Sequence, residues 1–332
     1  MRIEQLPNMI FIVGAPRCGT TTLSDWLKQH PDICFPYVKE PHFLAQYDLT
    51  TMNDAEARDL TEREFLDRYF AHCEDAGKKA GVDGSVSYLY IPERLVPALK
   101  LWPNAKFIIA LRDPMAMLPS LHQRLRVTGD ETITKFEDAW DAIPDRAAGK
   151  RIPKSALAAE WLRYDQGGRF GTYVEAFFDA VGRERCFVSV FDDLAADPPA
   201  QYARLMEFLG LAPFAGTDFK PNREGSDFKI GWLQRLLKRP PAFARDWLAG
   251  RHFRQRSRKV DKLDKGEKTA KRIFSIRKRL LDWNKKPPQK HVMPLRIQRD
   301  IRERLKPEID KLGTLLGRDL SHWLEVREGR LG

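Results

Sequence analysis

Met9-Ile-Phe-Ile-Val13-Gly14-Ala-Pro-Arg17-Cys18-Gly19-Thr20-Thr21-Thr22 is the stretch that decides the fold. Met9–Val13 is apolar throughout, as a strand covered on both faces must be. A glycine-containing turn follows, then a helix from about Thr20 to Gln29. Such a unit aims backbone N–H groups and the positive end of a helix dipole at one point, an anion cradle. The alternation continues downstream. Lys106–Leu111 (KFIIAL) is a second buried strand, after which Arg112-Asp113-Pro114 opens a helix. Cys186–Phe191 (CFVSVF) is a third, with a helix around Pro199–Leu209 behind it, and Val82-Asp83 is a short strand end ahead of a helix at Pro92–Leu101. Strands separated by helices predict an α/β fold, a parallel sheet flanked by helices, with ligands beyond the carboxyl ends of the strands. After Gly210 the pattern turns to helices and loops, and Pro294–Trp323 reads as helical, with apolar spacing at Ile301, Leu305, Ile309, Leu312, Leu315 and Leu316. The expected organisation is an α/β core over 1–212 and a basic helical region over 213–332 packing on the same domain.

Composition narrows the class. In 332 residues, 42% apolar and 31% charged content suits a globular chain with a sizeable core rather than a disordered one. No apolar run approaches the ~20 residues of a membrane span. Ile10–Val13 is too short for a signal peptide and runs straight into Gly14. Cys18, Cys34, Cys73 and Cys186 form no CxxC pair, so reduced thiols and a cytoplasmic setting are expected. The seven His and four Cys show no zinc-type spacing, so no metal is expected.

The net charge of +11 is unevenly placed. Arg235–Lys290 holds 20 Lys+Arg against 5 Asp+Glu, a local +15 that leaves −4 for the rest. Such a block fits an anionic partner, or simply solvated helix faces. Its aromatics fall into no nucleic-acid motif.

Gly14 to Gly19 has the GxxxxG spacing of nucleotide-binding loops, but Thr20 stands where ATPases and kinases have Lys. A cation appears inside the loop instead, as Arg17. This disfavours ATP chemistry by the usual Lys and magnesium arrangement. An Arg at a strand end, Arg112, with a helix-borne hydroxyl eight positions on, Ser120, suits a phosphate monoester.

GAPRCGTTTL after MIFIV resembles the 5′-phosphosulfate loop of sulfotransferases that use 3′-phosphoadenosine 5′-phosphosulfate (PAPS). The resemblance implies that Arg17 contacts the phosphosulfate and that Cys18, Gly19, Thr20, Thr21 and Thr22 bind around the 5′-phosphate. It further implies that Arg112 and Ser120 hold the 3′-phosphate. Val38-Lys39-Glu40-Pro41-His42-Phe43-Leu44 resembles the Lys-Glu-x-His-Phe segment of the heparan sulfate branch. That implies Glu40 as general base on the acceptor, His42 assisting and Lys39 close to the cofactor. Taken alone, Lys39-Glu40 also fits an exposed ion pair and His42 a satisfied, partly buried histidine. Asp83-Gly-Ser-Val-Ser-Tyr88 lies where the family has Lys-Ser-Pro-x-Tyr: Ser85 and Tyr88 match, but Gly84 replaces the Lys. Ala45 likewise replaces an acidic residue. Both departures lie on the acceptor side and argue against a heparan-type acceptor. Phe191–Leu194, Asp197-Pro198, Phe208–Leu211 and Leu316–Trp323 resemble family segments more loosely, and Arg223 and Lys229 fall where the family has a basic loop over the 3′ end of the cofactor.

The implied function is in-line transfer of a sulfuryl group from PAPS to a hydroxyl of a glycan, glycolipid or small metabolite, without nucleic acid as a partner. The basic 235–290 region would then steer anions or touch the inner membrane surface peripherally. A P-loop phosphotransferase using ATP and a non-catalytic polyanion- or membrane-binding protein are the alternatives.

Overall fold

Five parallel strands form the central sheet: β1 (Met9–Gly14), β2 (Ile33–Cys34), β3 (Ala80–Asp83), β4 (Lys106–Leu111) and β5 (Cys186–Val190), in the order β2-β3-β1-β4-β5. The computed structural model describes residues 1–74, 76–220, 227–238, 265–287 and 292–329, with the backbone alone for 265–274. The α/β expectation holds. β1 is central and buried at every residue, which is why its sequence carries no polar alternation. Phe11 stacks on Phe107 of β4 with ring centroids 5.5 Å apart, and Phe177 of the helix Phe170–Val181 meets Phe107 edge-on at 5.4 Å. The chain fills one side of β1 first and then the other, so the order reverses between β1 and β4. The crevice beyond those two strand ends is where such sheets bind ligands.

The chain divides into two compact units interleaved in sequence. The first comprises Met1–Asp113, Phe170–Asn222 and Asp310–Asp319, and contains the sheet; the second comprises Pro114–Arg169, Arg223–Ile309 and Leu320–Gly332. The second is built on the helix Pro114–Thr128 and a core in which Glu131 accepts two hydrogen bonds from Arg146 Nη2 (2.9 and 2.7 Å) and one from the Tyr164 hydroxyl (2.8 Å).

Three local expectations change. The strand from Cys186 stops at Val190, because Phe191 already opens the helix Phe191–Ala196. The last helix, Leu295–Leu316, ends before Trp323: Gly317 takes a left-handed φ of +60° and Arg318 N–H returns to the Gly313 carbonyl at 2.9 Å, a glycine-terminated cap. The thiols are not all reduced. Cys34 and Cys73 form a disulfide across 39 residues of sequence, their Cα atoms 6.2 Å apart. β2 lies at the sheet edge, and its last residue meets the 3-10 turn Ala71–Cys73. No spacing motif announces that meeting. Cys18 and Cys186 are free and buried.

Candidate active site

The loop after β1 is shaped by close approach. A Cβ on Gly14 would sit 2.8 Å from the Val86 carbonyl oxygen and 3.0 Å from Leu89 Cβ, so only glycine fits. Ala15 N–H donates to the Ala110 carbonyl at 2.7 Å, tying the loop to β4. Gly19 stands at the N-cap of the helix Thr20–Gln29 with φ +94° and no side-chain cap among the described residues. The first-turn N–H groups therefore face the loop, where an anion suits them. Arg17, exposed and left-handed (φ +67°), sits on the loop's rim. Arg112, at the end of β4, donates to the Arg17 carbonyl at 3.5 Å, and its guanidinium lies 4.3 Å from the Phe191 ring centroid. This cation–π contact holds the fork beside the loop. Cys18 is buried, and burial pushes its thiol up to about 12 against the pull of Arg112 and Arg17. It lines the loop as a neutral group.

The segment after β2 brings the acid to this loop. Lys39 Nζ lies 3.3 Å from Thr21 Oγ1 and 3.1 Å from Glu40 Oε1, so one ammonium touches both the loop and the carboxylate. His42 Nε2 faces Glu40 Oε2 at 3.6 Å. Burial works to raise the Glu40 carboxyl, but His42 and the Lys39 charge outweigh it and hold it at about 2. Glu40 is thus a carboxylate throughout the ordinary pH range, about a third exposed (35%).

What fixes that segment is a buried network that sequence reasoning missed. Asp83, fully buried at the end of β3, accepts from Ser85 N–H (2.9 Å), Ser85 Oγ (2.5 Å) and the Tyr88 hydroxyl (2.9 Å). Ser85 Oγ in turn accepts from His42 N–H at 2.8 Å, and the Tyr88 hydroxyl accepts from Leu44 N–H at 3.1 Å. His42 Nδ1 pairs with Ser87 Oγ at 2.8 Å. These bonds hold His42 in a left-handed conformation (φ +52°) that turns the chain at the acid. Burial raises the Asp83 carboxyl to about 6 despite the hydrogen bonds from Ser85 and Tyr88. The signal available in the sequence was three hydroxyls, Ser85, Ser87 and Tyr88, directly after an acid at a strand end. Gly84 is also constrained: a Cβ there would lie 3.1 Å from the Lys39 carbonyl oxygen and 3.4 Å from Ser24 Oγ.

The first unit therefore brings together Arg17, Cys18, Gly19, Thr20, Thr21, Thr22, Glu40, His42 and Arg112. Ser120 lies half-buried on the helix Pro114–Thr128 and belongs to the second unit. Arg223 lies outside the described residues. Lys229, also in the second unit, stands over the Trp283 ring at 5.2 Å. Among the described residues the one cluster of metal-ligand types is Cys34, His72 and Cys73, and both of its sulfurs are in the disulfide.

Residues 7–215 match the profile of the Sulfotransferase family. The chain belongs to the sulfotransferase family. Carbohydrate sulfotransferase 15 of Mus musculus is 33% identical over 257 residues, and that of Homo sapiens 26%; each match takes in 64% of this chain and 45% of the relative. The chain thus spans about half the length of the curated relatives it matches. A crystal structure of a sulfotransferase from Alicyclobacillus acidocaldarius superposes with a TM-score of 0.56 at 22% identity, covering 95% of this chain and 98% of that one. That likeness bears on the fold, a sulfotransferase fold over nearly the whole chain. Family membership disfavours the ATP phosphotransferase and the non-catalytic binding protein.

Proposed function

We propose that the chain transfers the sulfuryl group of PAPS to an acceptor hydroxyl, with Glu40 as general base and a carbohydrate as the acceptor class. The observation that carries this reading is the single ammonium of Lys39 spanning Thr21 and Glu40. A base is useful only within hydrogen-bond reach of the attacking hydroxyl. Here the base adjoins an anion cradle, so a hydroxyl on Glu40 faces whatever the loop N–H groups hold.

The loop suits the donor's phosphate: an uncapped helix start, a glycine that admits close approach, and Arg112 beside it. When bound, the donor supplies an activated sulfuryl group on a phosphate leaving group. Around it, Thr20, Thr21, Thr22 and the N–H groups of Cys18 and Gly19 bind the 5′-phosphate. Arg17 stabilises charge on the leaving oxygen, and Arg112 supplies the fork that selects a 3′-phosphate. Glu40 takes the proton from the acceptor hydroxyl, and His42 orients its second oxygen. His42 and Lys39 together keep Glu40 ionised, and Lys39 lies close enough to the loop to shift toward the negative charge that gathers there. The carbohydrate assignment is supported by the relatives, which are carbohydrate sulfotransferases.

The test is sulfuryl transfer from radiolabelled PAPS to a panel of neutral and uronate-containing oligosaccharides, alongside calorimetry with adenosine 3′,5′-bisphosphate and with ATP and magnesium. The bisphosphate should bind and ATP should not. Glu40→Gln should lower turnover about 10²–10⁴-fold, the usual span for a general base, with bisphosphate affinity unchanged. Turnover equal to the parent would remove Glu40 from the mechanism.

A further inference from the structure

The proposed chemistry leaves one face of the second unit unexplained. The helix Gly231–Lys238 packs on the helix Lys265–Asn284, where Arg277 Nε donates to the Leu237 carbonyl at 2.7 Å, and the pair is clasped by β6 (Asp227–Phe228) and β7 (Lys285–Lys286), which run antiparallel. Its inner side is polar and buried. Asn284 donates to the Ile230 carbonyl (3.1 Å) and to Gln234 Oε1 (3.2 Å), and Gln234 Nε2 donates to the Val127 carbonyl at 2.7 Å. Trp232 and Leu236 flank Gln234 by two positions on either side, about 200° around the helix, so they face away from it. Their exposures are 68% and 49%. On the longer helix Ile276, Leu280 and Trp283 repeat at i, i+4 and i+7 and are 48%, 39% and 56% exposed.

Nine large apolar side chains are well exposed among the described residues, and five of them are these. Scattered singly over the surface they would need no explanation; five of the nine on two helices that pack together are a concentration that marks a contact. The same stretches, 227–238 and 275–287, carry eight Lys and Arg against Asp227 and Asp282. Cations alone would suit any polyanion. An acidic polysaccharide or a nucleic acid, however, offers no apolar phase for Leu236, Ile276 and Leu280. Tryptophans with apolar bodies and N–H tips suit the boundary between lipid headgroups and acyl chains. No helix among the described residues is long and apolar enough to cross a membrane, so the contact lies along the surface. We propose that this helix pair docks the protein on an anionic lipid bilayer, with Trp232 and Trp283 in the headgroup boundary and the surrounding cations on lipid phosphates. The docking is independent of the transfer chemistry of the first unit.

The experiment is co-sedimentation of the full chain at low salt with phosphatidylcholine vesicles, with and without phosphatidylglycerol, while tryptophan emission is recorded. Binding and a blue shift are expected only with phosphatidylglycerol. Trp232→Ser combined with Trp283→Ser should weaken partitioning at least about tenfold and abolish the shift, as loss of buried apolar area requires. Lys278→Gln and Arg279→Gln should each weaken it about fivefold, the value of one cation near an anionic surface. Adenosine 3′,5′-bisphosphate affinity, read on the same samples, should stay at the parent value and report that the variants are folded. No sedimentation with phosphatidylglycerol vesicles overturns the proposal. So does binding that survives the double Trp substitution, which would mean charge alone. Binding to a heparin fragment in preference to vesicles would assign the face to an acidic glycan instead.

Discussion

Asp83 and Glu131 are both buried carboxylates, one in each unit, and they are held in opposite ways. Glu131 meets a full cation: Arg146 grips it twice, Tyr164 donates a third bond, and the N–H groups of Thr132 and Ile133 add two more at 2.8 and 2.9 Å. Every lone pair is used and the charge is matched. Asp83 has hydroxyls and one backbone amide as its hydrogen-bond partners, and its carboxyl stands raised, at about 6, because they offset its burial only in part. The matched pair secures architecture. The unmatched one feeds, through Ser85 and Tyr88, into the backbone that carries Glu40 and His42. A local rule is thus broken beside the proposed site and obeyed away from it.

The largest effect should come from breaking the matched pair. Arg146→Ala leaves Glu131 buried without its cation and should lower unfolding free energy by about 3–5 kcal/mol, measured by urea denaturation. The folded remainder should keep its turnover per active molecule, and a loss confined to turnover would contradict the comparison. Next comes the covalent tie of the first unit. Replacing Cys34 and Cys73 together by Ser should cost about 2–4 kcal/mol, as for closing a loop of this size. It should also sensitise turnover to heat, because the Lys39–His42 segment begins five residues after Cys34. Indifference of the parent to a dithiol reductant would remove that link.

The subtler test concerns Asp83 itself. Asp83→Asn keeps the acceptor oxygen but alters the charge that Ser85 and Tyr88 answer. Turnover should fall up to about 10²-fold through misplacement of the base, with donor KM unchanged. Stability at neutral pH should hold or rise, since a buried charge is gone. The sign follows from linkage. A carboxyl raised from about 4 in the unfolded chain to about 6 in the fold makes the folded state relatively less stable as pH climbs through that window. Parent turnover should decline as pH falls through about 6, when protonation loosens the Ser85–His42 relay. The amide variant should lack that inflection. A pH profile shared by the two would leave Asp83 a structural residue only.

Much of the first unit was legible because its signals are local. β1 and the glycine turn follow each other directly, and the helix bounds Thr20–Gln29 follow from apolar spacing. Ile33–Cys34 was missed because two residues at a sheet edge carry no periodicity. The Glu131–Arg146–Tyr164 cluster and the disulfide were hidden for a related reason: their partners lie 15, 33 and 39 positions apart, and no short motif encodes a meeting made by tertiary packing. Loop and acid segments could be found one at a time. The resemblance already puts Lys39 near the cofactor, but its contact with Thr21 Oγ1 is set by tertiary packing that no local pattern encodes.

Gly84 sets a condition for anyone redesigning acceptor choice in this scaffold. Its missing side chain is the room into which the Lys39 backbone fits, with the carbonyl oxygen 3.1 Å from where a Cβ would be. A library that varies position 84 therefore does not sample a new contact to substrate alone. It samples displaced positions of Lys39, and with them the reactivity of the centre, so selectivity and rate at this position would have to be optimised as one trait.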